Sequence, residues 1–219
     1  MRKYLDRLAY RVQLWGIEKN EVGRFDGIGF AHLRWRDDSQ ESFRKTMEES
    51  LQLVQEHDPQ RYVRIKRYIK WIVNRVTDAP MGAEYVYRVR TCNIEFVVIP
   101  DLAPHLTAAF WAAILVHEAT HGVFESRGIP YAAQSRVRIE RLCTAEQNRF
   151  AAHLEASDPA RFPLARLDFD EECWHGSWAA SRSESRTALL SRWFADMKAE
   201  RTKIALSGAR QRRWAWSEA

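Results

Sequence analysis

The most constraining feature of this chain is an apolar segment, AAFWAAILVHEATHGVFES, that carries ionisable side chains in its middle. Residues 108–116 are apolar throughout, and further apolar residues follow the polar ones, so the segment is expected to form a buried helix. The helix is predicted to begin near His105 or Leu106 and to end before Gly128. A polar group inside a core must be paired. The polar residues of this helix therefore need a common partner.

These polar residues form the pattern H-E-x-x-H, with His117, Glu118 and His121. Residues four apart on a helix lie one turn above each other, so the two histidines present their imidazoles to one point. Neutral imidazole is a good zinc ligand, and two of them supply half of a tetrahedral site. Glu118 lies one step round the helix from His117, within reach of a water on the metal. The pattern predicts a Zn²⁺ site with Glu118 as general base.

The motif in this setting resembles the zincin metallopeptidases, and VHEATH followed by R-I-E-x-x-C resembles a group of small bacterial proteins regarded as peptidases. The third ligand distinguishes the zincin branches. Metzincins continue to a glycine and a third histidine, but Phe124 and Arg127 occupy those positions here. Gluzincins use a glutamate from the next helix, and Glu140, nineteen positions after His121, matches that spacing in a helix predicted over 135–156. The resemblance implies a gluzincin-like core with zinc held by the two histidines and Glu140.

The same resemblance implies further catalytic residues. Tyr131 lies about midway between His121 and Glu140, where several gluzincins keep a tyrosine that hydrogen-bonds the transition-state oxyanion. His175, in the segment WHGSW, is similar to a late histidine that has this role in other gluzincins. One position departs from the family pattern. Thr144 stands where gluzincins have an aspartate that holds a ligand histidine, so either another group holds that histidine or the activity is lower than the motif suggests.

Glu146 is an alternative third ligand. It begins the segment EQNRFAA, which is similar to the ligand-bearing segment of peptidases that cleave phage-type repressors. It lies at the centre of an apolar helical stripe, whereas Glu140 lies at its edge. The stripe consists of Ile139, Leu142, Cys143, Phe150 and Leu154. Helical phase favours Glu146 and spacing favours Glu140. Glu140 is preferred, and the other glutamate is expected to orient a ligand histidine.

The whole chain is predicted to be α+β and mostly helical, because glycine and proline number only nine and seven among 219 residues. Helices are expected at the N-terminus, from about 38 to 57, and from Pro59 through Val76. Segment 23–35 is expected to be a loop. Strands are expected over 85–90 and 94–99, with a turn at 91–93 between them. The N-terminal helix is predicted to be amphipathic, with one apolar face formed by Tyr4, Leu5, Leu8, Val12 and Trp15.

A single domain is expected over residues 1–219. Residues 1–80 would form a helical part, and 81–156 a zincin-like core in which a small sheet packs on the H-E-x-x-H helix. Residues 157–219 would form a helical C-terminal part with a basic, tryptophan-containing tail. The resemblance to zincins implies that strand 94–99 lies at the sheet edge, where it could pair with an extended peptide, and the alternative is an ordinary buried strand.

Composition limits the environment and the partners. Nine tryptophans and ten phenylalanines exclude a disordered chain. Three cysteines without a C-x-x-C pair indicate a reducing compartment, so a cytoplasmic location is expected. The nine-residue apolar run is far shorter than the roughly 20 residues of a membrane span. The net charge of +5 comes from interleaved basic and acidic residues, which predicts a mixed solvated surface and no nucleic-acid partner.

The sequence thus predicts a zinc-dependent metallopeptidase that hydrolyses a peptide bond in a peptide or protein substrate. The alternative is a weakly active or inactive protein that keeps the zincin scaffold to recognise a protein or a nucleic acid. Thr144 and the basic tail are the two features that leave room for this alternative.

Overall fold

The computed structural model describes residues 2–33, 39–77, 83–96 and 107–162. The helices are α1 (Arg2–Lys19), α2 (Gln40–His57), α3 (Pro59–Tyr68), α4 (Ala108–Ser126) and α5 (Ala133–Ser157). The strands are β1 (Glu21–Phe25), β2 (Ile28–His32), β3 (Trp71–Asn74), β4 (Ala83–Val86) and β5 (Thr91–Ile94), with a short 3-10 helix at Tyr87–Val89. The predicted class, α+β and mostly helical, is confirmed for this part of the chain. No helix in it is long and apolar enough to cross a membrane.

The strands form one mixed sheet in the order β1-β2-β3-β5-β4. β1 and β2 are an antiparallel hairpin whose two turn residues, Asp26 and Gly27, have φ angles of 43° and 86°. Two successive positive φ angles are typical of the tight hairpin turn that Asp-Gly favours. β2, β3 and β5 run parallel, and β4 returns antiparallel to β5 at the sheet edge.

The prediction of a loop over 23–35 is wrong, because β1 and β2 lie there. Ile28 and Phe30 are buried in the core, and Gly29 lies against the ring of Trp71 on the neighbouring strand. A Cβ at Gly29 would come within 2.3 Å of that ring, so only glycine fits this strand position. The glycines that suggested a loop are thus needed for the hairpin turn and for close packing between strands.

Two further element boundaries differ from the predictions. Helix α3 ends at Tyr68, and the residues expected to continue it form β3 instead. The predicted turn at 91–93 is part of β5, which ends at Ile94, while residues 97–99 of the predicted strand lie outside the described residues. Arg90, with a φ of 53°, makes the turn into β5. The expected N-terminal helical part therefore contributes three of the five strands.

The two faces of the sheet are covered differently. Helices α2, α3 and α4 pack over the larger core, which includes the fully buried Phe43, Met47 and Ile72. On the other face, Ile17 of α1 packs with β2 and β3. The face predicted for α1 is wrong in its second half, because Trp15 is 61% exposed while Ile17 is 2% exposed.

Helix α4 lies at the centre of the fold, in contact with α2, α3, α5 and β4. Thr107 caps its N-terminus by accepting a hydrogen bond from the backbone N–H of Phe110. Gly122 lies against Tyr68 of α3, so closely that a Cβ there would be 2.6 Å from the tyrosine Cβ. The helix ends at Ser126, and Gly128, which has a φ of 73°, lies in the six-residue connection (127–132) to α5. This short connection brings α5 across the H-E-x-x-H turn of α4.

The C-terminal part expected over 157–219 is described only to Phe162. The rest of that predicted helical part, with His175 and the basic tail, lies outside the described residues.

Candidate metal centre

The two histidines of α4 form one side of the site. His117 and His121 lie one turn apart with ring centroids 5.0 Å from each other. Their side chains are 13% and 12% exposed, so both are largely buried. This placement follows directly from the four-residue spacing within a helix.

Glu140 of α5 forms the opposite side. Its Oε2 lies 3.2 Å from His117 Nε2, and its Oε1 lies 3.5 Å from His121 Nε2. Zinc ligands at about 2.0–2.2 Å from the ion in a tetrahedral arrangement are about 3.3 Å from each other. Each histidine thus has one oxygen of Glu140 at about the spacing that two zinc ligands keep, Oε2 for His117 and Oε1 for His121.

Glu146, the alternative third ligand, lies among arginines. Its carboxylate is 3.1 Å from Arg61 and 3.2 Å from Arg64, both on α3, and it also pairs with Arg149. These ion pairs occupy Glu146 on the side of α5 that faces α3. The structure thus brings Glu140, and not Glu146, to the two histidines.

Gln147 is the partner of His117 that sequence reasoning did not identify. The His117 Nδ1–H donates a hydrogen bond of 3.0 Å to Gln147 Oε1. Gln147 is 4% exposed and lies seven residues after Glu140, two helical turns along the same face. A hydrogen bond at Nδ1 fixes the ring and directs the Nε2 lone pair into the site. Gln147 therefore holds the ring of His117, a role that neither Thr144 nor Glu146 has in the structure.

Tyr131 contacts the carboxylate of the site. Its hydroxyl donates a 2.6 Å hydrogen bond to Glu140 Oε1, and its ring meets that of His121 edge-on at 5.4 Å. The Arg136 guanidinium stacks over the other part of the ring, 5.2 Å from its centroid. In this structure Tyr131 orients Glu140, whereas the sequence analysis expected it to bind an oxyanion.

Glu118 lies on the buried side of the same helical turn. It is 5% exposed, and its Oε2 has no hydrogen-bond partner among the described residues. Burial, opposed by the charge of His117 and aided by the negative charges of Glu140 and Glu84, raises the pKa of Glu118 to about 7. A carboxyl group with a pKa near neutrality can both accept and return a proton at physiological pH.

The charges of the other three residues depend on each other. Burial would lower the pKa of His117, but its contact with Glu140 and the charge of Glu118 outweigh burial and raise it. Burial, together with the charge of His117, lowers the pKa of His121 to about 4. Burial would raise the pKa of Glu140, but the two histidines hold it below its usual value. A positive charge is thus favoured between Glu140 and the imidazoles.

Cys143 is a second residue that sequence reasoning did not assign to the site. It lies three residues after Glu140, is fully buried, and its Sγ lies within 4.8 Å of a ring nitrogen of each histidine. The sequence analysis used Cys143 as part of the R-I-E-x-x-C pattern and of the apolar stripe of α5, and not as a metal ligand. Its spacing from Glu140 puts both residues on one face of the helix, which is the signal that could have identified it.

The edge of the sheet also differs from the prediction. Strand β5, which begins the expected strand 94–99, lies between β3 and β4. The strand at the edge is β4, against which α4 packs.

Comparison of the chain with protein-family models, with curated proteins and with solved structures gives no match.

Proposed function

We propose that this protein is a zinc-dependent hydrolase of the peptidase type, with the ion held by His117, His121 and Glu140. The donor set supports this proposal, since two imidazoles and one carboxylate are the ligands of a common class of catalytic zinc site. The distances of 3.2 and 3.5 Å between Glu140 and the two histidines suit such a site. When bound, Zn²⁺ would polarise the substrate carbonyl and lower the pKa of a water molecule.

Glu118 is the observation that carries the proposal. A carboxylate oxygen buried without a hydrogen-bond partner costs free energy, so the position of Glu118 Oε2 beside His117 requires a reason. A general base in a hydrolase needs a pKa near the working pH and an oxygen free to accept a proton. Glu118 has both properties. In the proposed reaction it takes a proton from the attacking water and returns it to the leaving amine.

The remaining residues of the site would hold the ligands in place. Gln147 accepts the Nδ1–H of His117, and Tyr131 donates to Glu140. One proposed ligand on each side of the site, His117 on α4 and Glu140 on α5, thus has a hydrogen-bond partner that fixes its orientation. Such partners commonly change metal affinity or activity about 10- to 100-fold when removed.

Strand β4 supports a peptide as the substrate. Among the described residues it pairs with β5 on one side and with no strand on the other. Because α4 packs against β4, an extended chain added to this edge would run close to the H-E-x-x-H helix. Backbone hydrogen bonds to a sheet edge bind a peptide with little dependence on its side chains.

The test is the substitution Glu118→Gln in the full chain, with Glu125→Gln on the same helix as its matched control. Zinc content is measured by elemental analysis, and hydrolysis with a mixture of quenched fluorescent peptides. We expect both variants to bind one zinc ion and only Glu118→Gln to lose hydrolysis, by about 100- to 10,000-fold. Full activity of Glu118→Gln would exclude Glu118 as the general base.

A second candidate function is a non-catalytic metal protein that recognises a protein or a nucleic acid. Cys143 is the observation that favours it, because a fourth protein donor near the histidines is typical of structural zinc sites. In that case zinc would bind, no variant would hydrolyse any peptide, and Glu118→Gln would leave partner binding unchanged.

A further inference from the structure

Three donor atoms, one sulfur and two imidazole nitrogens, lie close together in the described structure. The Sγ of Cys143 and one ring nitrogen from each of His117 and His121 lie within 4.8 Å of one another. Cys143 is fully buried, while the two imidazoles are only partly exposed. Glu140, one turn before Cys143 on α5, contacts both histidines from the same helix.

We propose that the Cys143 thiolate is a fourth protein ligand of the metal in the resting protein and occupies the position that water must take for hydrolysis. The inference rests on the metal site of the proposed function and concerns its regulation. As the sulfur binds the ion, the thiol proton is released to solvent, and it returns when Cys143 dissociates.

The geometry allows this coordination with a small movement. Zinc binds sulfur at about 2.3 Å and nitrogen at about 2.0–2.1 Å, which places tetrahedral N and S ligands about 3.6 Å apart. The three donors, already within 4.8 Å of one another, need to close by at most about 1.2 Å between sulfur and nitrogen and about 1.5 Å between the two nitrogens. Glu140 and Cys143 come from one face of α5, so both can bind without bending the helix.

The chemistry of the donors points the same way. Thiolate is a soft ligand that zinc and cobalt bind in preference to water, and four protein ligands close a zinc site. Catalytic zinc sites instead keep one position for water. With Cys143 bound the site is closed, and with Cys143 displaced it has the three ligands of a hydrolase. Cys143 would therefore hold the protein in a low-activity state.

The experiment measures the ligands directly. The full chain is loaded with Zn²⁺ for X-ray absorption spectroscopy, and with Co²⁺ for optical spectroscopy. We expect one sulfur neighbour at about 2.3 Å from zinc, and a sulfur-to-cobalt charge-transfer absorption. Both signals should disappear in Cys143→Ser and Cys143→Ala. They should persist in Cys92→Ser and Cys173→Ser, which remove the other two thiols of the chain.

The wild-type spectra test the inference even if a Cys143 variant fails to fold. Zinc bound only by nitrogen and oxygen in the wild type would overturn the inference, as would a sulfur signal lost with Cys173→Ser. Failure to bind either ion would overturn both the inference and the proposed function.

Peptide hydrolysis by the same samples separates the two ideas. We expect Cys143→Ala to bind zinc and to hydrolyse peptides faster than the wild type. A sulfur signal with no hydrolysis in any variant would support Cys143 as a ligand and contradict the peptidase function. Hydrolysis that depends on Glu118, with no sulfur signal, would support the peptidase function and contradict Cys143 as a ligand.

Discussion

Replacement of Gln147 should weaken zinc binding without changing the ligands themselves. Its Oε1 accepts the Nδ1–H of His117 at 3.0 Å, and the residue is 4% exposed. In Gln147→Met the side chain keeps a similar volume but loses the acceptor. The Nδ1–H then remains buried without a partner, and the ring is free to rotate away from the orientation that presents Nε2 to the ion.

The size of the effect follows from that lost bond. A buried donor left without its acceptor costs about 1–3 kcal/mol. Hydrogen-bond partners of metal-ligating histidines are typically worth about 10- to 100-fold in metal affinity, or about 1.4–2.7 kcal/mol. We therefore expect the zinc dissociation constant of Gln147→Met to rise about 10- to 100-fold.

The assay is a competition titration of zinc against a chromophoric chelator, with thermal unfolding to verify that each variant is folded. Gln147→Glu should retain wild-type affinity, because its carboxylate accepts the same hydrogen bond. Glu146→Gln, at the neighbouring position, should also retain it, since Glu146 pairs with arginines of α3 and α5. Unchanged affinity in Gln147→Met, or an equal loss in Glu146→Gln, would refute the assigned role of Gln147.

The remaining predictions concern Tyr131, Glu146 and two helical glycines. Tyr131→Phe removes a 2.6 Å hydrogen bond to the carboxylate ligand and should weaken zinc binding about fivefold, as measured by the same titration. A large loss of kcat with unchanged zinc affinity would instead indicate an oxyanion role. Burial would raise the pKa of Glu146, but its three arginine partners outweigh burial and lower it. The stabilising effect of the charged Glu146 is therefore complete above the ordinary pKa of 4.5 and is lost as the pH falls through the lower pKa of the folded state. The free energies of unfolding of the wild type and Glu146→Gln should thus converge below pH 4.5. Gly122→Ala places a Cβ 2.6 Å from Tyr68 and should destabilise the fold by about 1–3 kcal/mol in denaturant titrations. Gly16→Ala, with nothing within 4 Å, should instead stabilise α1 by about 0.5–1 kcal/mol.

Helix α4 could be predicted because its signals are local. The apolar run, the four-residue spacing of the histidines and the glycine that follows the helix depend on neighbouring residues only. The same holds for α2 and α5, whose bounds lie close to the expected ones. Burial of Glu118 follows as well, because a residue beside His117 on a buried helix has few other places to lie.

The sheet was harder to predict because its signals are not local. Gly29 resembles a loop residue until the ring of Trp71, more than forty residues away, is placed beside it. Ile69 and Ile72 fit a continuing helix as well as a buried strand, and pairing with β2 and β5 decides between the two. Short apolar runs have this ambiguity whenever the partner strands are unknown.

The choice between Glu140 and Glu146 shows which kind of sequence signal identifies the glutamate that contacts the two histidines. Helical phase favoured Glu146 because it assumed that the whole stripe of α5 faces one partner. In the structure Phe150 and Leu154 pack into the main core, while Glu146 faces the arginines of α3.

Distance from the interhelical connection is the better guide. His121 lies five residues before the end of α4, and Glu140 lies seven residues after the start of α5. Residues at similar distances from a short connection come together when two consecutive helices pack. The six-residue connection therefore selects Glu140, and with it Cys143 one turn further on and Gln147 two turns further on. All three residues come from one face of α5 at the level of His117 and His121, so the length of one loop determines which side chains can reach the proposed metal site.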